Sequence, residues 1–121
     1  MPDARSAAGL RERMHFQFRP SQDDGWGNDQ PGQGAFTTQF TRWAALRPRV
    51  GGEAVTAARL DGRQPYVVTV RHDTEMQSVT TAWRLVDKNN PDRILNIVSP
   101  PADPDGNRQW LEFLAEEGRP S

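Results

Sequence analysis

Residues Arg13 to Arg19 read RMHFQFR, with apolar Met14, Phe16 and Phe18 alternating strictly with polar His15 and Gln17. A period of two belongs to a half-buried strand; an amphipathic helix repeats at about 3.6 residues. Ten Pro and ten Gly fall mainly between other short apolar runs, the distribution of short strands joined by turns. With 121 residues, 35% of them hydrophobic, one core and one mainly β, antiparallel domain are expected.

Residues 1–10 are small and polar apart from Leu10, and are expected to be a flexible N-terminal arm. The domain is expected over 11–117, leaving 118–121 as a C-terminal tail. Pro20 to Gly34 is dense in Asp, Gly, Asn and Pro, and is long for a plain turn, so it is read as a loop with a function. Phe36, Thr38 and Phe40 alternate, while Trp43 and Ala45 stand one step out of phase, which predicts one long strand to about Arg47 with a bulge near Thr41 and Arg42. The segment GEAVTAARLDG has helix-friendly composition but is too short for a helix stable alone, and is read as a long excursion between strands. Further strands are expected at Tyr66–Asp73, from Val79 through Leu85, and at Arg93–Ser99. The last segment, QWLEFLAEE, suits either a strand or a helical turn.

The net charge of −1 supplies no overall basic field for a phosphate backbone. Fourteen of fifteen cations are Arg, as interface pairing or high genomic GC content would produce. There is no Cys, hence no disulfide framework or thiolate metal site, and no apolar run of signal-peptide or membrane-spanning length. His15 and His72 lack a second His at ligand spacing, no Ser sits in a G-x-S-x-G turn, and Lys88 lies outside any phosphate-loop motif. No catalytic residue, metal or cofactor is therefore expected, although sixteen carboxylates leave room for an acid–base pair that sequence cannot place. Phe16, Phe18, Phe40, Trp43 and Trp83 are read as core, with stacking platforms of an oligonucleotide-binding barrel as the alternative. Trp26 has no local core in its Asp/Gly loop; it either folds back as a lid or enters a partner's pocket.

Taken in order, several segments resemble the bacteriophage head–tail joining family, also called head-closure or stopper proteins, of tailed phages and gene transfer particles. They are the L-R-E-R opening of Leu10–Phe18, Asp24-Gly25-Trp26-Gly27-Asn28, Trp43-Ala44, Leu46-Arg47-Pro48, Gly51-Gly52-Glu53, Val67–Arg71, Ile94–Val98 and Trp110–Phe113. The chain departs from that pattern at Gln64-Pro65-Tyr66 and in the proline-rich stretch 100–104. The resemblance implies a small antiparallel β-barrel with long loops. Identical copies would form a ring beneath the portal and adaptor, facing a tail terminator or tail tube, in a virion or virus-like particle assembled in the bacterial cytoplasm. DNA would cross the lumen without sequence specificity. It further implies a channel loop over 49–63, with Arg49, Arg59 and Arg63 against Glu53 and Asp61, and a partner interface at Asp24, Trp26 and Asn28. Neither a membrane nor catalysis has a place in that scheme.

Overall fold

The computed structural model describes residues 9–118, apart from 21, 24, 28, 31–33, 105 and 107. The alternating run is strand β1 (Glu12–Phe18), in which Met14 and Phe16 are fully buried while His15 and Gln17 lie on the outer wall. A short hairpin of β2 (Gln22–Asp23) and β3 (Asp29–Gln30) follows, then the long strand β4 (Thr37–Pro48), helix α1 (Glu53–Leu60) and β5 (Gln64–Arg71). A 3-10 turn (Glu75–Ser78) leads to β6 (Arg84–Asp87), β7 (Asn90–Ile97) and β8 (Trp110–Glu117). Six strands close antiparallel in the order β1-β4-β5-β8-β7-β6, with β6 returning to β1. The small antiparallel β-barrel is thus the fold.

Eight strands enclose just enough space for side chains, and six enclose less. Phe16, Met14, Leu85, Leu95 and Val68 accordingly fill the interior, and Met76 of the 3-10 turn adds a further fully buried side chain. Phe16, Phe40, Trp83 and Phe18 continue as an internal chain of rings with centroids 5.3, 5.6 and 5.4 Å apart in that order. Four of the five strand aromatics therefore belong to the core, and only Trp43, 50% exposed, offers its face outside.

The predicted bulge lies elsewhere. Register between β1 and β4 shifts at Phe16/Gln17, opposite Gln39, and not at Thr41 and Arg42. Beyond it, Ala44 and Leu46 join Phe40 in packing against the core, so Trp43 is out of phase because it faces outward. The strand expected from Val79 begins only at Arg84; Val79 and Trp83 are buried by a turn in which Trp83 N–H donates to Thr80 O. The 53–60 segment does form a helix, because burial of Val55 and Ala58 supplies the stability that two turns lack alone. QWLEFLAEE resolves as strand β8, with Leu111, Phe113 and Ala115 inside. Leu10, placed at the end of the arm by its sequence, is buried with Ala45 and Trp110, while residues 1–8 and 119–121 lie outside the described residues.

Candidate functional site

Because the barrel interior is full, any surface for recognition lies on its outer wall and loops. Outward positions of β1, β4, β5 and β8 meet in one row. Arg13 pairs across with Trp43 and Arg71 with Trp110, and the β4–β5 register, in which Ala44 faces Val70, sets the two pairs side by side. Each guanidinium lies 5.1 Å from its indole ring, a cation–π distance. Arg13, Trp43, Arg71 and His72 help line an open groove of about 580 Å³. Sequence reading missed this row; its one signal was the phase of Trp43.

Arg42 and Asp73 form one wall of the groove. Arg42 Nε donates to Asp73 Oδ2 and Nη2 to Glu75 Oε1, both at 2.9 Å, while the Glu75 backbone N–H donates to Asp73 Oδ1 at 2.8 Å. Burial disfavours the Asp73 carboxylate, but the Glu75 N–H and the Arg42 guanidinium outweigh it and hold its pKa below 3.8. A depressed carboxylate stabilises the fold fully above that ordinary value, and the contribution is lost as pH falls through the lower native one. Asp73→Asn should therefore cost about 1 kcal/mol at neutral pH, and its urea midpoint should converge with that of the unaltered protein as pH falls below the ordinary carboxylate range. A difference independent of pH would exclude this role for the carboxylate.

The residues predicted for a channel loop do not form one cluster. Glu53 opens α1, Arg59 lies in its last turn, and both are exposed, as is Arg49 beside the strand end. Arg63 instead turns to the barrel, with its guanidinium 3.1 Å from Glu116 and 3.2 Å from Asp61. Of the predicted partner interface, Asp24 and Asn28 lie outside the described residues. Trp26 is 87% exposed, which removes the lid reading. Val50 and Leu60 are also exposed apolar side chains flanking and ending the α1 segment. Among the described residues, no His, Cys, Asp or Glu group could hold a metal ion, and no helix is long and apolar enough to cross a membrane.

Fold and surface together define a small closed-barrel protein with a filled interior and its exposed groups on the outer wall and loops. The chain belongs to the phage head completion protein family, whose model matches residues 5–118. That is a family of virion components, and the particle is where the chain works. The solution structure of protein SF1141 from Shigella flexneri 2a is similar at TM-score 0.65 and 23% identity, covering 96% of this chain and 100% of that one. A chain in the virion of a native gene transfer agent particle is similar at TM-score 0.60 and 19% identity, covering 90% and 96% respectively. Both likenesses bear on the fold. No curated protein is a significant match to the chain.

Proposed function

We propose that the chain closes the head as a connector: copies form an oligomeric ring between the portal or adaptor and the tail terminator or tail tube, and DNA passes through the ring's lumen. Membership of the head completion family over residues 5–118 carries this reading. The filled barrel supports its geometry, since side chains occupy the interior and a duplex can pass only between copies. The work lies in contacts and not in catalysis.

In this arrangement the 49–63 segment faces the lumen. Arg49 and Arg59 are offset by Glu53 and Asp61 there, while Arg63 anchors the segment to the barrel through Glu116. Near-balanced charge lets DNA slide, because few phosphate counterions are displaced. Trp26, with Asp24 and Asn28 beside it in sequence, supplies a partner contact.

Light scattering tests the reading directly on the purified chain, alone and mixed with the portal–adaptor complex of the same source. Several copies should enter one large complex. Failure to enter it at any workable concentration would overturn the connector assignment.

A further inference from the structure

We infer that the Trp26 hairpin of one copy seats in the Arg13/Trp43/Arg71 groove of the next copy. The inference rests on the ring reading and names the contact that would build the ring. Charge distribution is the first argument. Although the chain's net charge is −1, the ion pairs of the fold gather carboxylates around three other arginines. Arg42 takes Asp73 and Glu75, Arg63 takes Asp61 and Glu116, and Arg93 takes Glu12, Asp87 and Glu117. Arg13 and Arg71 have no carboxylate partner among the described residues, so the groove keeps positive charge. The complementary charge lies in the hairpin segment: from Pro20 to Thr41 the sequence holds Asp23, Asp24 and Asp29 and no Lys or Arg.

Shape and chemistry agree with this pairing. Trp26 stands 87% exposed at the hairpin tip between Gly25 and Gly27, whose φ of 86° and 84° belong to the left-handed region that favours glycine. A groove of about 580 Å³ falls in the range of pockets that enclose a small ligand, and it holds an indole readily. Trp43 and the two guanidiniums offer that indole stacking and cation–π faces, and Trp is the residue type most enriched at interface hot spots. A phosphate backbone would use the two arginines but not the aromatic wall.

The occupant is a second copy because hairpin and groove lie apart on one chain. Arg13 is five residues from Phe18, about 17 Å along an extended strand, and the hairpin departs beyond that end. Two different patches of the same molecule then meet head to tail, the interface type that closes rings.

The absence of Cys permits a direct test. Asn28→Cys and His72→Cys chains, mixed and treated with a flexible bismaleimide, should give a mixed dimer at least tenfold above either variant alone. The reaction is run on the concentrated chain and in assembled particles. Adding Trp26→Ala to the Asn28→Cys chain, or Arg71→Glu to the His72→Cys chain, should lower the yield at least tenfold. No mixed dimer in particles that do contain the chain would overturn the contact and leave the ring reading standing. A mixed dimer in solution from a chain that never joins particles would support the contact and sink the ring placement. Protection of the groove by added duplex DNA, with no mixed dimer in its absence, would overturn the contact and assign the groove to nucleic acid.

Discussion

Phe16→Ala is expected to remove about 3–5 kcal/mol of stability, a large share of the roughly 5–15 kcal/mol typical of one domain. Phe16 is fully buried at the middle of β1, where its ring meets Phe40 at 5.3 Å and Phe113, edge-on, at 6.1 Å. Truncation loses the transfer free energy of a phenyl group and leaves a cavity between strands that closure of the barrel prevents from collapsing. Urea unfolding should show the midpoint falling with an unchanged slope, and thermal unfolding should shift down by on the order of 10–20 °C. His15→Ala, one residue away on the outer wall, loses one hydrogen bond to Thr41 at 2.7 Å and should cost about 1 kcal/mol. Equal effects at the two positions would mean that β1 is slipped by one residue, because such a slip exchanges its faces.

Arg93→Met carries the second large effect, expected at about 2–3 kcal/mol. From β7, Arg93 reaches Glu117 of β8 at 3.0 Å, Asp87 of β6 at 3.5 Å and Glu12 of β1 at 3.7 Å, tying four strands around the closure of the barrel. Burial lowers its pKa, but Glu117 and Tyr66 outweigh burial and raise it, so the cation is firmly held. Glu12 and Glu117 are partly solvated and contribute little to the cost. Asp87 is buried, and loss of Arg93 strands its charge. Asp87→Asn on top of Arg93→Met should therefore recover about half of the loss, since the unpaired charge is gone. A double variant less stable than Arg93→Met alone would refute this account.

The strands show where reading along the chain succeeds. The faces of β1 follow from alternation alone. Short-range patterns misplace a residue when tertiary packing can satisfy it in two ways. Trp43 out of phase suits a bulge or an outward side chain, and only pairing with Arg13 decides for the second. Val79 and Trp83 alternate like a strand, yet a turn buries them as well. The eight residues of α1 are marginal as an isolated helix and are stabilised by packing of Val55 and Ala58.

From sequence alone came the β class, the alternating faces and the ordered motifs that resemble a head–tail joining family. The class and the faces depend on neighbours within about ten residues, the range over which backbone preference and periodicity act, and the resemblance adds only the order of such short segments along the chain. The outer row is of another kind, because Arg13, Trp43, Arg71 and Trp110 are separated by 28 to 39 positions and meet only through strand register. Charge behaves likewise: a near-neutral sum contains a cationic groove, because folding pairs the carboxylates with Arg42, Arg63 and Arg93 and leaves Arg13 and Arg71 over aromatic rings. A register is a long-range choice among pairings that local sequence leaves close in energy, and the filled core makes that choice.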